Sequence, residues 1–228
     1  WYTRFNQLNE SEDIKMDILE TMKARHSVRQ YKNQAIESSK REKINALIKD
    51  VNAESKLSIQ VFYDEPKCFD SFMAHYGKFE NVKNYIAIVG NKNDQEKAGY
   101  YGEKIVLKCQ KLGLNTCWVA MTHGKSKAQI KRGQKLLIII SLGYGETQGV
   151  PHKSKSIAEL GQADQKNEWF EKGMEAVSLA PTAVNQQKFY FELKNGIVTA
   201  KNLGGFYSRI DLGIVKYHFE VVTGHEVK

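Results

Sequence analysis

Over residues 16–25, "MDILETMKAR", apolar positions recur at helical spacing: Ile18, Leu19 and Met22 share a face, and Asp17 and Glu20 sit in the first turn, where the helix dipole favours acids. The helix predicted there delivers "RHSVR" at its C-terminal end. A second helix is predicted over "SSKREKINALIKDVN", with Ile44, Leu47, Ile48 and Val51 on one side and Ser38 or Ser39 as N-cap. The long "DQEKAGYYGEKIVLKCQKLGL" reads as a third, its apolar face at Tyr101, Ile105, Val106, Leu107 and Leu112 and its end at Gly113. A basic helix is expected around 125–132. "NEWFEKGMEAVSLAP" should end at Pro181, and "SRIDLGIVKYHFEVVTG" should turn Ile210, Ile214 and Phe219 inward.

The strand rhythm occupies the intervals. "LSIQVFYDE" alternates, "NYIAIVGN" at 84–91 is compact and β-branched, "NTCWVA" is short and extended, and "KLLIIISLGYG" is a buried strand. "KFYFELKNGIVTAKN" forms two alternating strands around Asn195-Gly196, a strong hairpin signal. Helices and strands alternate, so the class is α/β or α+β, and the hairpin argues against an all-parallel sheet.

The 228 residues suffice for one sizeable domain or two small ones. The longest apolar run, "LLIIISL" at 136–142, falls far short of the roughly eighteen residues a membrane span needs. A net charge of +8 changes the picture more. The basic residues are spread along the chain, which suits an anionic small ligand such as phosphate or a merely basic surface. No helix interleaves basic and aromatic residues, so nucleic acid is not the expected partner. Cys68, Cys109 and Cys117 form no CxxC pair and no metal-like spacing to histidine, pointing to a reduced, cytoplasmic protein without structural disulfides or zinc. The start, "WYTRFNQLNESEDIK", lacks both an initiator methionine and a signal-peptide pattern, so the native start is expected near Met16, with 1–15 a leader or added segment. No low-complexity linker breaks the chain, and the least compact stretch is "GETQGVPHKSKS", 145–156.

Four stretches carry candidate chemistry. In Arg25-His26-Ser27-Val28-Arg29, guanidinium groups and a hydroxyl are suited to phosphate, although basic residues at a helix end are also favoured by the dipole alone. "HKSKS" at 152–156 is a second donor cluster that, taken alone, reads as a solvated loop. "LAPTAVNQQKFYF" at 179–191 presents amides and a hydroxyl beside aromatic surface, suited to a heterocycle or to ordinary turn chemistry. "LGLNTCWVAM" offers backbone N–H groups and Trp118 to a planar ligand, or simply begins a buried strand. No G-x-S-x-G elbow, G-x-G-x-x-G or phosphate loop is present, and Cys117, in an apolar run, reads as a buried thiol rather than a nucleophile.

Taken in order, "RHSVRQY", "GEKIVLKCQKLGLNTCWVA", "IIISLGYG" with "HKSKSIAEL", and "APTAVNQQKFYF" resemble the FMN-dependent nitroreductase family, over most of the chain from Met16 on. The P-S-x-x-N-x-Q-P-W-like stretch lies near the C-terminus here, an arrangement similar to the subgroup with a rearranged, two-lobed chain. The resemblance implies an α+β fold with a mixed, mainly antiparallel sheet flanked by helices. It divides the chain into a first lobe over 16–150 and a second over 151–228 that carries the flavin-lining segment. It implies FMN as cofactor, NADH or NADPH as donor, and a nitroaromatic, quinone or similar small-molecule acceptor. The chain would act as a homodimer or as a monomer of two pseudo-related lobes. The alternative is a flavin or nucleotide binder without turnover.

By position, Arg25, His26, Ser27 and Arg29 match the segment that binds the phosphate, ribityl chain and pyrimidine edge, and Lys153 and Lys155 match a basic pair that closes on the phosphate. Pro181, Thr182, Asn185 and Gln187 match the flavin-lining segment, and Trp118, Val119 and Ala120 match the backbone stretch near flavin N5. No acid or base side chain is implied as catalytic, because the flavin carries the chemistry. Met121 stands where a glycine is usual, and Lys188-Phe189 where Pro-Trp is, which should crowd the flavin face and alter the pocket wall.

Overall fold

The computed structural model describes residues 18–228. The expected start at Met16, the 1–15 segment and Asp17 lie outside the described residues. Helix α1 covers 18–24 and buries Ile18, Leu19 and Met22 against Leu107, Ala176 and Val222. It is followed by α2 (Ser38–Ser55), β1 (Ser58–Phe62), α3 (Phe72–Tyr76), β2 (Asn84–Gly90), α4 (Gln95–Lys111), β3 (Asn115–Val119) and β4 (Lys135–Gly143). Beyond these come α5 (Ile157–Leu160), β5 (Gly161–Ala163), α6 (Glu168–Ser178), β6 (Phe189–Lys194), β7 (Ile197–Asn202) and α7 (Ser208–Thr223).

The class is α+β. A four-stranded, wholly antiparallel sheet runs β1-β2-β4-β3, and a three-stranded sheet runs β5-β6-β7, with β5 parallel to β6. β2 is buried along its whole length, and its period of two sorts side chains between two cores. Ile86 and Ile88 face the helices α2, α4 and α7, whereas Tyr85 and Ala87 face Phe69, Phe79 and Val28. Each such isoleucine contributes about 1.5–3 kcal/mol by leaving water. β3 obeys the same rule: Cys117 and Val119 join the second core, while Trp118 packs against the first. The Asn195-Gly196 hairpin forms as expected, with both residues at positive φ (51° and 75°) and Lys194 paired to Ile197.

Helices α4 and α7, far apart in sequence, meet backbone to backbone. A Cβ at Gly99 would collide with the Ile210 carbonyl oxygen, and one at Gly213 with the Glu96 carbonyl oxygen. These two glycines bring the helices close enough for side chains farther along, Glu103 on α4 and His218 on α7, to touch.

Two expectations fail for identifiable reasons. Residues 125–132 are not helical: the Lys127 N–H donates to the Tyr85 hydroxyl at 3.0 Å and the Gln129 N–H to Gln60 Oε1 at 2.9 Å, so sheet side chains satisfy the backbone donors. Neither Ser38 nor Ser39 caps α2; Glu37 holds that position without a side-chain cap, its carboxylate being drawn to the Tyr144 hydroxyl, which also accepts from Lys40.

Candidate ligand site

The stretch "RHSVRQY" leaves α1 as an extended strap. The Val28 N–H donates to the Thr116 carbonyl on β3 at 3.1 Å, the Tyr31 N–H to Glu80 O at 3.1 Å, and the Lys32 N–H to Tyr144 O at 2.7 Å. Val28 and Tyr31 are buried as anchors, and the Tyr31 hydroxyl meets Val28 O (2.7 Å) and Ser141 Oγ (2.8 Å). On either side of Val28, Ser27 and Arg29 are left exposed at the wall of a cavity of about 480 Å³, a size ordinary for a cofactor or small-molecule site.

Three other segments complete this first cavity: Cys117, Trp118 and Ala120 from β3 and its exit; Pro181, Thr182, Ala183 and Val184 from the turn after α6; and Ile210, Asp211 and Ile214 from α7. Tyr76, Met121 and Phe206, all strongly exposed, stand around it with Val184. The turn is strained, because Val184, a β-branched residue 85% exposed, sits at φ 46°. Asp211 holds it there: Oδ1 accepts from the Ala183 N–H at 2.9 Å and Oδ2 from Gln186 Nε2 at 2.7 Å. Burial pushes the Asp211 carboxyl up to about 6 against the pull of those two donors. Burial likewise raises the Cys117 thiol, against the opposing charge of Arg29, so it stays protonated.

A second cavity of about 240 Å³ lies on the other side of the strap, lined by Arg25, His26, Met22, His152, Ser154 and Leu179 among others. Arg25 is 3% exposed, and its Nε and Nη1 have no hydrogen-bond partner among the described residues. Its charge is balanced by Glu103, fully buried, whose Oε1 lies 3.9 Å from Arg25 Nε. The same Oε1 is 3.0 Å from His218 Nε2, and Oε2 accepts from Trp118 Nε1–H at 3.0 Å. Burial alone would raise the Glu103 carboxyl, but the His218 bond and charge, Arg25 and Trp118 together hold it below the usual carboxylate range. His152 and His26 are both lowered by burial first, and by the Arg25 charge, which keeps them neutral at neutral pH. His152 Nε2 and Ser154 Oγ donate to the Ser178 carbonyl at 3.0 and 2.7 Å, fixing that loop to the end of α6.

The expected residues therefore fall into three groups. Ser27, Arg29, Trp118, Ala120, Pro181 and Thr182 meet at the first cavity, and Arg25 and His26 at the second. Lys153, Lys155, Asn185 and Gln187 bind chiefly one another: Gln187 Nε2 and Asn185 Nδ2 each donate to Lys153 O at 2.9 Å, and Lys155 Nζ donates to Gln187 O at 3.1 Å. Val119 is buried in the second core and presents only backbone to the β3 edge. Met121 does line the first cavity. Lys188 does not, being an exposed residue beside Gly205, and Phe189 is core. Asp211, Glu103 and His218 were not singled out from the sequence, and His152 and Ser154 were visible only as members of "HKSKS". Among the described residues no cluster of His, Cys, Asp or Glu could hold a metal ion, and no helix is long and apolar enough to cross a membrane.

Comparison with known proteins bears on this arrangement. A family model described as "Putative TM nitroreductase" matches residues 17–223. A crystal structure of "a putative nitroreductase" from Thermotoga maritima is similar with a TM-score of 0.65 and 23% identity, covering 90% of this chain and 82% of that one. A Desulfovibrio desulfuricans structure described as "a putative nitroreductase in complex with fmn" aligns with a TM-score of 0.50 and 15% identity, over 62% of this chain and 93% of that one. No curated protein matches the chain.

Proposed function

The chain belongs to the family described as "Putative TM nitroreductase", and from that premise and the two cavities we propose that it is an FMN-dependent oxidoreductase taking electrons from NADH or NADPH to a small nitroaromatic, quinone or similar acceptor. The observation that carries the proposal is the buried Arg25: a guanidinium with unpartnered donors at a cavity wall, one residue along the strap from His26 and two from Ser27, is what the phosphate end of a flavin nucleotide requires. The fit extends to the first cavity, where apolar and backbone surface at Trp118, Ala120 and Pro181 suits a planar heterocycle, and Ser27, Arg29 and Thr182 offer polar groups at its edge. The FMN bound in a similar fold from Desulfovibrio desulfuricans supports the same reading.

FMN, when bound, supplies the hydride and electron chemistry. The protein's share is binding and orientation. Arg25 and His26 would receive the phosphate, with Lys153 and Lys155 adding positive charge on either side of Ser154. Ser27 and Arg29 would hold the ribityl chain and pyrimidine edge. Pro181, Thr182 and the Asp211-pinned turn would close the side opposite Trp118, and the tie of Asn185 and Gln187 to Lys153 and Lys155 would fix that turn to the phosphate end. The Arg25 and Arg29 charges stabilise an anionic ligand throughout. Exposed apolar groups at Tyr76, Met121, Val184 and Phe206 suit a flat acceptor entering from that side.

The protein purified without added flavin is expected to show the visible absorbance of oxidised flavin, or to acquire it with FMN, and to lose it when NADPH is supplied. Colour without bleaching by either nicotinamide leaves a flavin binder without turnover, consistent with crowding by Met121. A colourless protein that FMN cannot load overturns the proposal.

A further inference from the structure

Glu103 is fully buried and serves both cavities. Its Oε2 takes the indole N–H of Trp118 in the first, and its Oε1 is the counter-charge of Arg25 in the second. Trp118 can approach because the residue before Glu103 is glycine: a Cβ at Gly102 would collide with the indole Cη2 and stand 2.8 Å from Ile88 Cδ1. On the other side, the separation of 3.9 Å between Arg25 Nε and Glu103 Oε1 is an ion pair without a hydrogen bond. That distance matters chemically. A buried guanidinium without a counter-charge is strongly destabilising, whereas one paired bidentately to a carboxylate has two of its five donors committed. Here charge is balanced while the donors stay uncommitted, and a buried donor left unpaired calls for an explanation.

We propose that Glu103 is a positioning residue, a built-in counter-anion that keeps Arg25 buried and free to bond a ligand's anionic group in the second cavity while its other oxygen aims Trp118 into the first. The identity of that ligand as a flavin phosphate rests on the function proposed above; the role of Glu103 toward an anion does not.

Glu103→Gln removes the carboxylate charge and keeps the side-chain shape. The Ala176 carbonyl can only accept, so His218 Nδ1 carries a hydrogen in that 2.8 Å contact. Nε2 donates its own hydrogen to the carboxylate in the parent. A glutamine amide instead donates to a bare Nε2 and accepts from Trp118, so both contacts persist while His218 gives up the Nε2 hydrogen. What is lost is the negative charge beside Arg25, which an anionic ligand would replace. In apoprotein titrations followed by flavin fluorescence, the preference for FMN over riboflavin, which lacks the phosphate, is expected to rise about tenfold in Glu103→Gln, in line with a charge-assisted bond gaining an uncompensated partner. Equal changes for the two flavins overturn the proposal.

If wild-type protein binds neither flavin, the functional reading fails, and the role of Glu103 is decided by inorganic phosphate. Phosphate should raise the melting temperature of Glu103→Gln more than that of wild type at matched ionic strength; equal gains refute it. If Glu103→Gln does not fold, adding Arg25→Met should restore folding by removing the stranded charge. Failure of that double variant shows that Glu103 acts through something other than Arg25, and overturns the proposal.

Discussion

The cavity around Trp118 is walled largely by apolar side chains and backbone, with Arg29 and Lys78 both exposed at it, whereas the cavity around Arg25 has that arginine sealed inside with two histidines beside it, exposed Lys23 being its other cation. The strap alternates between them: Arg25 and His26 turn one way, Ser27 and Arg29 the other. An exposed arginine needs no provision from the fold, since water solvates it. A buried one needs a counter-ion placed by tertiary structure, and here that counter-ion stands on α4, itself locked against α7. The two cavities should therefore fail differently: the first by losing contacts, the second by losing the fold that neutralises it.

The largest expected effect removes the shared support. Gly213→Ala drives a methyl into the Glu96 carbonyl at the α4–α7 crossing, where neither backbone can yield. A loss of about 3 kcal/mol or more is expected, in the range of severe overpacking, read as a lower denaturant midpoint, with flavin retention falling along with it. A variant as stable as the parent would show that the helices can separate freely, and the contrast between the cavities would lose its structural basis. Next comes Arg25→Ala, which leaves Glu103 without its arginine and opens a void. About 3–5 kcal/mol is the range for breaking a buried ion pair; the 3.9 Å separation of this one places it at the low end or below. FMN retention should fall together with stability.

A smaller effect belongs to the first cavity and depends on pH. Asp211 is raised by burial from 3.8 to about 6, so the folded state favours the protonated acid. Its contribution to stability is complete below about pH 4 and is lost as pH rises through about 6. For a shift of about two units this amounts to roughly 3 kcal/mol at most. Asp211→Asn has no such titration, so the melting temperature of wild type minus that of the variant should fall between pH 4 and pH 7. A difference that stays flat across that window would mean Asp211 is not buried by the 181–187 turn in solution.

What the sequence discloses follows the same division. β2, β4 and the Asn195-Gly196 hairpin are legible because a compact apolar run and a left-handed turn are local properties. The expected helix at 125–132 is not, because its donors are met by Tyr85 and Gln60, 42 and 69 residues away. Ser27, Arg29, Trp118 and Thr182 could be gathered by resemblance, each lying in a recognisable segment. That Arg25 is buried could not be read, since its partner Glu103 sits on a helix whose contact with α7 depends on Gly99 and Gly213, residues that look like mere weak points in a helical pattern. Asp211 likewise reads as an ordinary first-turn acid of α7 until the turn folded over it is seen.

Arg29→Ala should have the smallest effect on the fold and therefore sharpens the comparison most. Its guanidinium is exposed, stacks at 5.9 Å from the Phe79 ring and takes part in no salt bridge found among the described residues. The strap is held by neighbours that the substitution leaves alone: Val28 and Tyr31 keep their burial, and the Arg29 carbonyl still accepts from the Glu80 N–H. A stability change within about 0.5 kcal/mol is expected, as for surface positions generally. Ligand binding should tell a different story, because a cation at the wall of the first cavity is worth about 1.5–3 kcal/mol when it bonds a charged or strongly polar group. FMN affinity should fall about tenfold or more while the denaturant midpoint stays fixed, the reverse of the coupled losses expected for Arg25→Ala. If the Arg29 variant instead holds FMN as tightly as the parent, this half of the strap is surface, and the ligand is recognised from the buried side alone.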